Sequence, residues 1–154
     1  MKGIYTIVIV LKRDVTLKVG KLGMPRFSRG LYAYSGSARG KGPTSIQGRM
    51  RRHMGRRHRK LWHIDYLLSA DCCEIKAIIY SETMRDLECE ANRRIRELAC
   101  ATFPVKGFGS SDCACISHLL YFPSHRINQA LAIVQNAHVK LHLRPRLCRP
   151  ARSV

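Results

Sequence analysis

The strongest constraint on the fold is a run of apolar, mostly β-branched residues near the start of the chain, residues 3–12 (GIYTIVIVLK). Side chains that branch at Cβ lose freedom in a helix and pack well on a pleated strand. Both alternating sets of positions in this run are largely apolar, which indicates burial on both faces of the strand. The segment is therefore predicted to be the central strand of a sheet.

Further strand patterns surround this segment. Residues 15–19 alternate weakly, and glycines and a proline mark turns before another strand pattern at about 31–35. Three strands close in sequence predict an antiparallel meander. Later strands are predicted at 74–80 and 118–122.

Four helices are predicted between and after these strands. Thr44, with Gln47 three residues later, forms a capping-box pattern for a helix that ends at about Met54. Further helical patterns cover 61–70, a segment that follows Thr83 and ends at about Cys100, and a last segment that Ser124 would cap. The predicted fold class is α/β of the α+β type, a small central antiparallel β-sheet flanked by helices. Residues 1–139 are predicted to form one domain, and residues 140–154 a basic, flexible tail.

The charge of the chain favours a polyanionic partner. It has 28 Lys and Arg against 10 Asp and Glu, a formal net charge of +18. Residues 38–60 contain nine basic residues and no acid, although a solvated basic face is the alternative interpretation of such a run. The basic residues predicted to bind nucleic acid, with DNA favoured over RNA, are Arg39, Lys41, Arg51, Arg52, Arg56, Arg57, Arg59 and Lys60.

The compartment follows from the cysteines and the apolar runs. Seven scattered cysteines are an odd number and do not resemble a disulfide framework, which favours a reducing, cytoplasmic setting. The apolar runs are far shorter than the ~20 residues that a membrane-spanning helix needs, so no membrane association is expected.

Five residues have the chemistry that phosphodiester hydrolysis requires. Tyr5 and Tyr34 lie on two predicted strands, and Arg49 and His53 share one helix face because they are four residues apart. The reaction needs an activated water, positive charge near the transition state and a stabilised leaving oxygen. Glu88 supplies a hard carboxylate ligand suited to Mg²⁺.

Several blocks of the chain resemble the GIY-YIG nuclease superfamily. The blocks are Gly3-Ile4-Tyr5, Tyr34-Ser35-Gly36 and the segments RMRRH, WHIDYLL, LECEA and GFGSSDCACISHLLYF. The chain is most similar to a prokaryotic branch that occurs alone or attached to endonuclease III. The resemblance covers roughly residues 2–122.

This resemblance implies a role for each of the five residues. Tyr5 would be the general base or a water-orienting phenol, and Tyr34 would hydrogen-bond phosphate or water. Arg49 would stabilise the phosphate, His53 would be a second polar ring on the same helix face, and Glu88 would anchor a divalent metal, Mg²⁺ or Mn²⁺.

Two of these assignments have close competitors in the sequence. Tyr32 is two residues before Tyr34, so both side chains point to the same face of a strand. Glu90 is two residues after Glu88. Glu88 is preferred because its spacing to Ala91 fits the E-x-x-apolar pattern of the family.

A second group of residues has metal-binding chemistry. Cys113, Cys115 and His118 offer three ligands, and Cys89, Cys72 or Cys73 would complete a zinc site if the fold brought one of them close. The usual C-x₂-C spacing is absent, so Mg²⁺ or Mn²⁺ is favoured over zinc as the cofactor. Buried cysteines in a tight loop are the alternative interpretation.

Together these patterns predict a metal-dependent endonuclease that hydrolyses nucleic-acid phosphodiester bonds, with DNA repair as a setting. The first alternative is a non-catalytic nucleic-acid-binding module on the same scaffold. A zinc-stabilised interaction domain is a third class.

Overall fold

The structure is a computed structural model that describes residues 1–55, 59–111 and 113–151. The strands in this part of the chain are β1 (Gly3–Leu11), β2 (Val15–Thr16), β3 (Arg26–Phe27), β4 (Gly30–Ala38), β5 (Cys73–Glu82), β6 (Leu119–Phe122) and β7 (Arg146–Cys148). The α-helices are α1 (Ile46–Met54), α2 (His63–Leu68), α3 (Glu88–Ala99) and α4 (Ile127–Lys140).

Five of the strands form one antiparallel sheet in the order β6-β4-β1-β5-β7. The β-branched strand β1 lies in the middle, where both of its edges are paired. Tyr5 lies opposite Gly36 on one side and opposite Tyr80 on the other. The predicted fold class, an α+β fold with a central antiparallel sheet and flanking helices, is confirmed.

The two faces of β1 support separate hydrophobic cores because successive side chains of a strand point to opposite faces. Tyr5, Ile7 and Ile9 pack on one face with residues of α2 and with Phe108. Val8 packs on the other face with residues of α3 and α4. The sheet is therefore covered on both sides, as the continuous apolarity of β1 predicts.

Two local predictions differ from the structure. The predicted meander is wrong at β2, which pairs with β3 in a separate two-stranded sheet instead of joining the central sheet. The helix predicted to follow Thr83 directly begins later, at Glu88, because the Thr83 N–H still donates a hydrogen bond to the Lys2 carbonyl near the start of the chain.

The C-terminal segment also differs from the predicted flexible tail. Arg146–Cys148 forms β7, which pairs with Ile78, Ile79 and Tyr80 at the free edge of β5. An edge strand is held by hydrogen bonds between backbone groups. A short basic segment can therefore pair with β5 although its sequence has no apolar strand pattern.

Among residues 1–55, 59–111 and 113–151, no helix combines the length and the apolarity that crossing a bilayer requires.

Candidate active site and metal centre

A cleft of about 170 Å³ opens where β1, β4, α1 and α3 meet beside the loop that precedes β6. The residues that line it are Tyr5, Ser37, Arg49, Trp62, Glu88, Gly109, Cys113 and His118. A phenol, a guanidinium and a carboxylate, contributed by distant parts of the sequence, therefore face one space.

Tyr5 reaches the cleft as one member of a buried pair. Its hydroxyl oxygen lies 2.8 Å from Nε2 of His53, and only 1% of His53 is exposed. The ring crosses Gly36, where a Cβ atom would lie 2.5 Å from the Tyr5 hydroxyl oxygen. Burial raises the pKa of Tyr5 far above its usual value, and the nearby Arg49 only partly opposes this shift. The phenol is therefore protonated at neutral pH.

Arg49 is held over the indole of Trp62. Its guanidinium carbon lies 4.3 Å from the ring centroid, and that of Arg52 lies 4.5 Å from the same centroid. Nε of Arg49 is buried and has no hydrogen-bond partner among the described residues. An orphaned donor beside a cleft suits an anionic ligand.

Tyr34 and Tyr32 differ in their surroundings. Tyr34 lies under the cleft wall, with its ring against Phe108 and next to Gly109, and burial raises its pKa well above the usual value. The hydroxyl of Tyr32 donates to the Ser28 carbonyl at 2.5 Å. Tyr34 is therefore the tyrosine of this pair that is close to Tyr5 and Glu88.

Glu88 and Glu90 also differ in their surroundings. Glu88 lines the cleft, and its side chain is 25% exposed. Glu90 is paired with Arg93 on the same helix at 2.6 Å. Both belong to the first turn of α3, where the helix dipole favours a carboxylate.

The predicted nucleic-acid-binding residues fall into three groups. Arg51, Arg59, Lys60 and Lys41 are exposed, as is Arg39, which pairs with Asp86 at 2.6 Å. Arg52 instead bonds to the buried Asp65 at 2.8 Å. Arg56 and Arg57 lie outside the described residues.

Asp65 and His63 have structural contacts that explain their presence beside the cleft. The Asp65 carboxylate accepts hydrogen bonds from the backbone N–H groups of Leu61 and Trp62 as well as from Arg52. Burial raises its pKa, but these donors outweigh burial and leave the pKa below the usual value. Nδ1 of His63 accepts from the Gly109 N–H at 2.9 Å, which fixes the loop at the cleft wall.

Four metal-binding side chains converge next to the cleft. The ligand atoms of Cys89, Cys113, Cys115 and His118 all lie within 4.8 Å of one another, so the group could hold a metal ion. The sequence left three candidates for the fourth ligand. Cys89 is the one in this cluster, whereas Cys72 and Cys73 are buried in the core on the Tyr5 face of the sheet.

The chemistry of this group fits a soft or borderline cation better than Mg²⁺, which prefers oxygen ligands. Burial raises the pKa of Cys89 and Cys115 and lowers that of His118. A cation would offset this burial by stabilising the thiolates. The preference for Mg²⁺ or Mn²⁺ over zinc is therefore not supported at these residues.

Three residues that line the cleft, Ser37, Trp62 and Gly109, were not among the predicted site residues. Ser37 follows the Tyr34-Ser35-Gly36 triplet without a pattern of its own. Gly109 has a φ of 69°, and a Cβ there would lie 2.6 Å from the Tyr34 ring.

The sequence matches a known protein family. The model of the family described as "Domain of unknown function DUF123" matches residues 4–142. No curated protein and no solved structure matches the chain.

Proposed function

The chain belongs to the DUF123 family, and we propose that it is a divalent-metal-dependent endonuclease that hydrolyses phosphodiester bonds, with DNA as the substrate. The observation that carries this proposal is the convergence of Tyr5, Arg49 and Glu88 on one cleft. The GIY-YIG resemblance assigns nuclease roles to the same three residues, and the charge of +18 supplies attraction to a polyanion.

The Tyr5–His53 pair would activate the attacking water. A phenol with a raised pKa is a poor base by itself, but Tyr5 can donate its proton to Nε2 of a neutral His53 as its oxygen accepts a proton from water. The hydroxide oxygen then bonds to phosphorus, and the bond from phosphorus to the leaving sugar oxygen breaks. The leaving oxygen takes a proton from solvent. The buried His53 imidazolium returns its proton to the Tyr5 oxygen, which releases one proton to the water in the cleft.

Arg49 would stabilise the charge that accumulates on the phosphoryl oxygens in the transition state. Its side chain lines the cleft and is held in place by Trp62, and its buried Nε has no hydrogen-bond partner among the described residues. A donor that is already oriented needs no reorganisation during the reaction, which is the condition for effective electrostatic stabilisation.

Glu88 is the residue that would hold Mg²⁺ or Mn²⁺. A half-buried carboxylate that faces a cleft fits an ion that accepts one protein carboxylate and completes its shell with water and phosphate. The ion would stabilise the leaving oxygen of the substrate.

We further propose Zn²⁺ as the ion of the Cys89, Cys113, Cys115 and His118 group. Sγ of Cys89 lies 3.5 Å and Sγ of Cys113 lies 3.3 Å from Nε2 of His118. A tetrahedral zinc ion, with bonds of about 2.3 Å to sulfur and about 2.0 Å to nitrogen, would separate such atoms by about 3.5 Å. Four protein ligands would fill its coordination shell, so this ion would be structural.

The nuclease proposal is tested by incubating plasmid, branched DNA and single-stranded RNA with the protein, in Mg²⁺ and in chelator. We expect Mg²⁺-dependent cleavage of DNA. The variants Tyr5→Phe and Glu88→Gln should each lower kcat at least about 100-fold, the scale of a lost general base or metal ligand.

Matched controls separate the site from its surroundings. Tyr32→Phe removes a hydroxyl that bonds Ser28, and Glu90→Gln removes a carboxylate two residues from Glu88. Both should cleave at close to the wild-type rate. Binding without cleavage under every condition would reject the nuclease and favour the nucleic-acid-binding module.

A further inference from the structure

We propose that the metal centre of Cys89, Cys113, Cys115 and His118 positions Glu88, so that occupancy of this centre controls the affinity of the cleft for its catalytic divalent cation. The inference rests on the proposed function for the role of Glu88. It makes His118 and Cys89 positioning residues, which act through Glu88.

His118 is the first link between the two sites. Its Nε2 faces the sulfur atoms of Cys89 and Cys113, whereas its Nδ1 lies 3.9 Å from Oε2 of Glu88. When an ion binds Nε2, the neutral ring must have its hydrogen on Nδ1, the nitrogen on the Glu88 side. A metal-ligating histidine usually presents its second nitrogen to a carboxylate, a backbone carbonyl or a water, and Glu88 is the carboxylate on that side here.

The backbone of α3 is the second link. Cys89 directly follows Glu88 in the first turn of this helix, and no side chain caps the helix at Leu87. A bond from the Cys89 sulfur to an ion would hold this first turn against the loop that contains Cys113 and Cys115. Because Glu88 is the adjacent residue, its backbone would be fixed as well, and its carboxylate would be held at the cleft.

The loop itself forms part of the cleft. Cys113 and His118 both line it, and so does Gly109, which lies at the start of the same loop. Two backbone hydrogen bonds close the loop. The Gly107 N–H donates to the Ile116 carbonyl, and the His118 N–H donates to the Phe108 carbonyl. An ion bound to α3 and to this loop would therefore set the distance between two walls of the cleft.

The first experiment measures the metal itself. We expect one zinc per chain in the purified protein and a loss of most of that zinc in Cys115→Ser. The exposed Cys100 is outside the cluster, so Cys100→Ser should retain it. Replacement by Co²⁺ should give the intense visible absorption of a tetrahedral thiolate site. A wild-type protein without zinc and without this Co²⁺ spectrum would overturn the proposal.

The second experiment measures coupling without any cleavage assay. Mn²⁺ binding to the cleft, followed by electron paramagnetic resonance, should be abolished in Glu88→Gln. In Cys115→Ser it should weaken about 10- to 100-fold, the effect of losing an outer-shell partner. Cys100→Ser should bind Mn²⁺ as the wild type does. Equal Mn²⁺ affinity in the wild type and in zinc-free Cys115→Ser would refute the coupling.

A measurement on the wild-type sequence covers the case in which Cys115→Ser does not fold. Zinc is removed with a chelator and then restored, and Mn²⁺ affinity must fall and recover in step. Unchanged affinity through this cycle would also refute the coupling. If the protein binds zinc and Mn²⁺ in this coupled way but cuts no nucleic acid, the nuclease proposal fails and the positioning role of the metal centre remains.

Discussion

At the scale of single residues, the position of Tyr5 depends on the absence of a side chain at Gly36. A Cβ at Gly36 would meet the hydroxyl oxygen of Tyr5 at 2.5 Å and Cζ at 2.6 Å. Gly36→Ala should therefore displace the phenol from His53 and destabilise the protein by about 1–3 kcal/mol, the cost of overpacking a core. Urea unfolding gives the energy, and the NMR shifts of the His53 ring report the lost contact.

Gly55→Ala is the matched control for this substitution. A Cβ at Gly55 would meet backbone carbonyl oxygens at 3.2 and 3.8 Å, and Gly55 is exposed. We expect a change of no more than about 0.5 kcal/mol, as for most surface substitutions. Equal destabilisation by both changes would show that the Tyr5 ring does not require a glycine at position 36.

His138 gives the protein a specific dependence on pH. Its ring is fully buried, with Nε2 3.1 Å from the Thr6 hydroxyl and Nδ1 2.7 Å from the Ser81 hydroxyl. Burial lowers its pKa to about 4. Because the unfolded chain binds a proton near pH 6.5 and the folded chain does not, the free energy of unfolding should fall as the pH decreases from about 6.5 to about 4.

The change in stability attributable to His138 between pH 7 and pH 5 is on the order of 2 kcal/mol. The measurement compares how the free energy of unfolding depends on pH in the wild type and in His138→Gln, whose side chain at this position does not titrate. If the two unfolding curves shift in parallel between these pH values, the ring is not held neutral by burial.

The sequence predicted some residues of the candidate site better than others. Tyr5, Arg49 and Glu88 were predicted from short blocks with a recognisable order. Cys89 was only one of three equal candidates for the fourth ligand, because its distance from His118 depends on how α3 lies against a loop 24 residues later. The number of residues between two positions in the sequence contains no information about how the helix packs against the loop.

At the scale of elements, α1 and α2 are joined by Arg52 and Asp65. The side chain of Asp65 is fully buried and accepts hydrogen bonds from Arg52 and from two backbone N–H groups at the start of α2. Asp65→Ala should cost about 3–5 kcal/mol, because it leaves these donors unpaired. Trp62, the only tryptophan, touches Arg52 and should report the change by fluorescence during urea unfolding.

Asp71→Ala is the control for an ion pair at the surface. Asp71 bonds to Arg13 at a similar distance, 2.7 Å, but both side chains are more than half exposed. Its loss should cost less than about 1 kcal/mol. Similar losses in the two variants would mean that burial does not distinguish the pairs.

Element boundaries were predicted less well than the elements themselves. The β-branched run of β1 predicted a central strand, and its burial on both faces follows from composition alone. The start of α1 was placed at Thr44 by the capping-box pattern, but Ser45 is the cap and accepts from the Gly48 N–H. Residues 42–44 form a turn of 3₁₀-helix ahead of α1, and this turn depends on contacts that a local pattern does not contain.

At the scale of the whole molecule, the basic side chains fall into two kinds. One kind is bonded to a buried acidic residue, and the other is exposed and can contact a polyanion. Arg51 and Arg52 are adjacent in sequence, but Arg51 is exposed and Arg52 is bonded to the buried Asp65. The sequence assigned both to nucleic-acid binding, because a run of basic residues does not show which of them have acidic partners.

This separation predicts the salt dependence of DNA binding. The logarithm of affinity should fall linearly with the logarithm of salt concentration, by about 0.9 for each phosphate that is neutralised. Arg51→Ala should reduce the slope by about 1 if Arg51 contacts phosphate, whereas Arg52→Ala should leave the slope unchanged and lower the urea midpoint instead. Fluorescence anisotropy of a labelled duplex across a salt series gives the slope, and circular dichroism gives the midpoint. If Arg52→Ala reduced the slope as much as Arg51→Ala did, the buried pair with Asp65 would not keep Arg52 from the DNA, and the whole basic run would act as one undifferentiated surface.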